Sequence, residues 1–141
     1  MLKALVPVDG SANSDRAVRH VIELVTGGSP LEILLLNVQE PIDSWEVKRF
    51  MPAEEIEAMQ IEKGGDALQS ARALLDAAGV AYTPQVLIGP IAETIARHAA
   101  EQGCKKIIMG MRGMTALERL VLGSITMQVV HLSSVPVTLV K

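Results

Sequence analysis

A chain of 141 residues with a net charge of −3 fits one domain over 1–141 and argues against a nucleic-acid partner, which needs a basic face. It is 49% hydrophobic but holds only one Trp, one Tyr and one Phe, so its core is expected to be aliphatic, as suits parallel strands under helices. The single cysteine, Cys104, excludes an intrachain disulfide and a cysteine-based zinc cluster. No apolar run approaches the roughly 18 residues of a membrane span, so no membrane insertion and a reducing, cytoplasmic setting are expected.

Residues 2–8 form a short apolar run, read as a strand rather than a signal peptide, and Asp9-Gly10-Ser11 ends it as a turn. Ala17, Val18, Val21, Ile22 and Val25 recur at helical spacing until Gly27-Gly28. Residues 31–38 are almost continuously apolar, the pattern of a strand buried on both faces. Residues 39–52, between Pro41 and Pro52, carry Trp45 and Phe50 and read as a loop with a short helical turn. A long helix follows, with Ala67, Leu68, Ala71, Leu74, Leu75 and Ala78 on one face and Gly79 as its stop. Residues 81–88 are a third strand, and Gly89-Pro90 opens a helix with Ile91, Ile95, Ala96 and Ala99 inward, ended at Gly103. Residues 105–109 form the fourth strand, 124–132 a further helix and 135–140 the fifth strand. Strict alternation of strand and helix predicts an α/β fold, a doubly wound, five-stranded parallel sheet with right-handed crossovers and helices on both faces.

In such a sheet, ligands bind beyond the carboxyl ends of the strands, where the winding reverses. Two loops there carry ligand-type groups: Asp9-Gly10-Ser11, and Gly110-Met111-Arg112-Gly113 after the fourth strand. Gly123-Ser124 completes the pattern Gly-x2-Gly-x9-Gly-Ser and opens a helix, with Ser124 as the expected N-cap. Glycines let backbone approach a ligand closely, and free N–H groups at a helix start attract phosphate. Plainer readings stand beside these. Asp9 can serve as only a helix-capping or turn residue, a reading that the glycine motif weighs against, and Met109, Met111 and Met114 serve equally as core or loop packing or as an adenine pocket. Cys104 reads as a structural thiol, His20, His98 and His131 as surface histidines, and Glu54, Glu55 and Glu57 as a solvated helix face. No Walker A loop, Gly-x-Gly-x-x-Gly, nucleophile elbow, His-Glu-x-x-His or paired catalytic carboxylates occur, so dedicated catalysis lacks its machinery.

Three features together resemble the universal stress protein family: Val6-Pro7-Val8-Asp9-Gly10-Ser11, the Gly-x2-Gly-x9-Gly-Ser motif, and the closing Val135-Pro136-Val137-Thr138-Leu139-Val140. The resemblance covers the whole chain. It implies the strand order 3-2-1-4-5, a Rossmann-like sheet, and binding of ATP, or of ADP or AMP. It places adenine and ribose near Pro7, Val8, Asp9 and the backbone of Val38, with Met109 and Gly110 bordering the ribose and α-phosphate. Gly113, Gly123, Ser124, Ile125 and Thr126 would hold the phosphates, bridged by a magnesium or manganese ion. Met111 and Arg112 depart from the residues common there, and Arg112 is either a phosphate contact or solvent-facing. The Ser-Gly-Gly-x-Asp-Ser loop of related adenylating enzymes is replaced by Asp9-Gly10-Ser11-Ala12-Asn13-Ser14.

The function implied is a nucleotide-dependent regulatory or adaptor module in stress response, acting on a further protein partner, with at most slow hydrolysis. The alternatives are a slow ATPase of the same superfold, with Asp9, Arg112 and Arg119 as its polar candidates, and a nucleotide-free structural dimer. Residues 135–140 would be an apolar edge strand in that order, which predicts a homodimer paired through it.

Overall fold

The first apolar run becomes β1 (Leu2–Pro7), whose last four residues are buried. In the computed structural model, which describes residues 1–111 and 123–141, β1 is the centre of a five-stranded sheet in the order β3-β2-β1-β4-β5. Every pairing in it is parallel. The remaining strands are β2 (Leu31–Gln39), β3 (Thr83–Ile88), β4 (Lys106–Gly110) and β5 (Val137–Val140). The strand order is the one the resemblance implied, and it sets β1 beside β4.

Helices fill the connections. In α1 (Ala12–Thr26), Ser11 is the N-cap, its Oγ accepting from the Ser14 N–H at 3.2 Å. Residues 39–52 hold more order than expected: Ser44 caps α2 (Trp45–Phe50), with Glu46 in its first turn and Lys48 and Arg49 in its last, as the helix dipole favours. None of its residues is buried. The long helix is α3 (Ala53–Ala77), which buries Ile56, Gln60, Gly64, Leu68, Ala71 and Leu75. Ala78, expected on that face, lies past the helix end and is exposed. α4 (Ile91–Glu101) and α5 (Ser124–Leu132) complete the set.

The sheet divides two aliphatic layers. On one face, Val6, Ile33, Leu35 and Ile108 meet Val18 and Val21 of α1 and Leu68 and Leu75 of α3. On the other, Leu5, Leu36 and Ile107 meet Ile95 and Ala99 of α4 and Val129 of α5. Of the three aromatic residues, Trp45 and Phe50 are exposed on α2, and Tyr82, half-buried beside β3, packs against the margin of the layer under α1 and α3.

Candidate functional site

The strand registers open the sheet at one place. β1 and β4 are paired only at Ala4–Lys106 and Leu5–Ile107. β4 then stays with β5 as far as Gly110–Val140, and β1 stays with β2 as far as Pro7–Leu36. The two central strands therefore part towards their carboxyl ends, each held by its outer neighbour, at the point where the winding reverses. β2 also outruns β1, pairing with β3 up to Gln39–Ile88.

The last main-chain bond between β1 and β2 runs from the Val8 N–H to the Leu36 carbonyl at 2.8 Å, while Gln39 accepts from Gly89 on the β3 side at 2.9 Å. Alternation along a parallel strand then turns both the N–H and the C=O of Val38 to the β1 side, past that last bond.

One wall of the crevice is the β1–α1 turn. Gly10 has φ +84, and a Cβ there would lie 3.3 Å from the Ala67 carbonyl oxygen of α3, so conformation and space both call for glycine. Asp9 is exposed. Its Oδ1 accepts from the Ser11 N–H at 2.9 Å and from the Ser14 hydroxyl at 2.7 Å, and its own N–H donates to Ser14 Oγ at 3.0 Å. The plain reading of Asp9 as a turn residue is therefore correct as far as Oδ1 goes. Oδ2 has no hydrogen-bond partner among the described residues, which leaves a ligand-type oxygen in a fixed orientation.

The other wall joins β4 to α5. Met111 N–H donates to Val140 O at 2.9 Å, Gly123 N–H to Met111 O at 3.2 Å, and the buried Thr126 hydroxyl to Gly110 O at 3.1 Å. The N-cap of α5 is Gly123, in an extended conformation (φ −59, ψ 149), and not Ser124 as expected. Ser124 is already helical and exposed, and no side chain among the described residues caps the helix. Glycine has no side-chain oxygen to offer, and the Thr126 hydroxyl is held by Gly110. The first intrahelical bond comes from Met127 N–H to Gly123 O at 3.0 Å, so the N–H groups of Ser124, Ile125 and Thr126 precede it. Such a turn is the positive end of the helix dipole.

The structure thus gathers Pro7, Val8, Asp9, Val38, Gly110, Gly123, Ser124, Ile125 and Thr126 along one sheet edge. Arg112 and Gly113, with Met114 and Arg119, lie outside the described residues. The Met109 side chain is buried and packs in the layer under α4 and α5. Gly110 has a reason of its own to be glycine: a Cβ would come within 2.8 Å of Asn13 Cγ and 3.0 Å of the Asn13 carbonyl oxygen. Among the described residues no three His, Cys, Asp or Glu side chains gather to hold a metal ion.

Sequence reasoning missed three supporting residues. Ser14 locks Asp9, Asn13 packs against Gly110, and the buried Asn37 donates from Nδ2 to the Val8 carbonyl at 2.8 Å while accepting from Gln39 Nε2 at 2.7 Å. Asn37 was visible as one amide inside an apolar strand, where a buried polar group must find partners.

His98 and Cys104 lie elsewhere. His98 is buried rather than at the surface, its Nε2 2.9 Å from Gln85 Oε1. Burial lowers its pKa below the usual histidine value; Glu101 opposes this and Arg97 adds to it. Burial raises the Cys104 thiol, against Lys3 and with Glu32, which makes it a poor nucleophile. No helix among the described residues is long and apolar enough to cross a membrane.

Comparison with known proteins gives a consistent picture. The model of the universal stress protein family matches residues 1–141. The chain is 29% identical to universal stress protein MJ0531 of Methanocaldococcus jannaschii, over 99% of this chain and 81% of that protein. It is also 29% identical to universal stress protein MJ0577 of the same organism, over 99% and 94%. The solved structure of MJ0577 superposes with a TM-score of 0.82, covering 99% of this chain and 95% of that one. A universal stress protein from Archaeoglobus fulgidus solved in complex with dAMP shares the fold at 19% identity, with a TM-score of 0.70 over 100% and 98%. The chain belongs to the universal stress protein family.

Proposed function

We propose that the crevice between β1 and β4 binds an adenine nucleotide and that the protein is a nucleotide-dependent regulatory or adaptor module. The observation that carries this is convergence: a locked carboxylate at Asp9, an open strand peptide at Val38 and a start to α5 that no described side chain caps meet at one opening of the sheet. The Val38 N–H and C=O complement the N1 acceptor and N6 donor of adenine, whereas guanine presents the opposite pair. Asp9 Oδ2 accepts from ribose hydroxyls. The N–H groups of Ser124, Ile125 and Thr126 receive phosphate oxygens, with Gly110, Gly113 and Gly123 permitting close approach and Arg112 adding charge.

The A. fulgidus protein, solved with dAMP, supports a ligand of this class. Magnesium or manganese enters on the phosphates of ATP, since the described residues offer no protein-built metal cage. Hydrolysis is slow at most, and occupancy rather than turnover is the signal passed to a protein partner in the cytoplasm.

A homodimer through β5 belongs to the same proposal. β5 is the edge strand in the described sheet, and Met127, Val130 and Leu132 of α5 expose apolar surface.

Mass spectrometry of nucleotide released from freshly purified, denatured protein, followed by calorimetric titration with ATP-Mg, tests the reading. Adenine nucleotide is expected in the released fraction, with binding lost in a folded Gly123→Val variant. A wild-type protein that carries no nucleotide and gives no heat with ATP, ADP or AMP would sink it.

A further inference from the structure

The β1–β2 ladder ends in an unusual way. With Pro7 opposite Leu36, Val8 falls opposite Asn37, and its N–H donates to Leu36 O as a regular parallel ladder requires. The next bond of that ladder would run from the Val38 N–H to the Val8 carbonyl. Among the described residues no main-chain bond fills that place. The donor to Val8 O is instead the side-chain amide of Asn37, at 2.8 Å. The amide is held firmly: Asn37 is 3% exposed, its Oδ1 accepts from Gln39 Nε2 at 2.7 Å, and α3 presses on it at Gly64, where a Cβ would lie 3.2 Å from Oδ1.

We infer that Asn37 is a positioning residue for base recognition: its amide takes the Val8 carbonyl in place of the Val38 N–H and so leaves that N–H open to the N1 atom of a bound purine. The inference rests on the nucleotide reading above and deepens it, because a strand peptide still bonded to its neighbour has no donor to offer a ligand. Asn37 touches no ligand; it acts by satisfying an acceptor that would otherwise capture Val38. Gln39 orients the amide so that Nδ2, not Oδ1, faces Val8.

Two measurements test this. In the ligand-free wild type, the Val38 amide should exchange with solvent faster than the ladder amides of β2 on either side, and ATP should protect it. In Asn37→Leu, of similar volume but without a donor, the ladder should extend by one bond and Val38 should become protected without ligand. The wild type should prefer ATP over 1-deaza-ATP, which lacks the N1 acceptor, by about tenfold, the worth of one good hydrogen bond. Asn37→Leu should bind the two alike. If Asn37→Leu does not fold, Asn37→Asp, whose carboxylate cannot donate, takes its place, and the wild-type exchange and analogue data still decide. Failure of the wild type to bind ATP, ADP or AMP overturns the nucleotide reading and with it this inference. ATP binding with a Val38 amide already protected in the free protein, or with undiminished preference over 1-deaza-ATP in the variant, overturns only the role of Asn37.

Discussion

Gly110 offers a test that separates packing from ligand contact. A methyl group there would meet the first turn of α1: Asn13 Cγ at 2.8 Å and Asn13 O at 3.0 Å. A flexible side-chain tip would move aside cheaply, but Asn13 is 6% exposed and its Oδ1 accepts from Arg16 at 3.1 Å. Its backbone oxygen cannot move without shifting α1, whose cap also orients Asp9. Overpacking of this kind costs about 1–3 kcal/mol. For a domain of this size that is a fall in melting temperature of roughly 3–9 °C. Gly110→Ala should show it by calorimetry in nucleotide-free protein. Asn13→Ala removes the obstructing amide, so the double variant should recover about 1 kcal/mol relative to the sum of the singles. A Gly110→Ala protein within about 0.5 kcal/mol of wild type, or strictly additive changes, would refute the packing argument and return Gly110 to a role confined to the ligand.

Asp9→Ala removes the acceptor of two hydrogen bonds and should lower stability by about 1–2 kcal/mol in urea melts, while weakening ATP, ADP and adenosine by similar factors; a loss confined to ATP-Mg would move Asp9 to the phosphate end. His98 has a folded pKa below its ordinary value, so the unfolded chain takes up the proton first and stability should fall as pH drops through about 6.5, until the folded-state pKa is passed. Melts from pH 7.5 to 5 should show that slope, and His98→Gln should lose it; an equal slope in both would assign it to other groups. Light scattering should give a dimer for the intact protein at micromolar concentration and a monomer for Val137→Lys plus Leu139→Lys, and a monomeric wild type would remove β5 as an interface.

Much of this was legible in the residues because the signals were local. Apolar runs bounded by Gly and Pro marked every strand, and the 3.6-residue spacing marked every long helix, leaving errors of a residue or two at the ends. The order of strands came from the family resemblance, since alternation alone permits several windings. Where local signals competed, the reading slipped. Ser124 has the chemistry of an N-cap, yet Gly123 takes the position because the main chain from Met111 and the Thr126–Gly110 bond set where the helix begins. His98 read as a surface residue because the three histidines lie on separate helices with no ligand spacing, yet it follows Ile95 by three residues and the packing of α4 against the sheet buries it.

The sequence by itself determined the α/β alternation, the aliphatic core and the glycine-rich edge on which the proposed ligand site depends, because each follows from composition or from spacing within one element. The tertiary structure alone decided how that edge is built. The parting of β1 from β4, the contact that makes Gly110 a glycine and the amide of Asn37 standing in for a main-chain donor all join residues far apart in the chain. Such contacts depend on register and on the close approach of neighbouring elements, and no periodicity in the sequence records either.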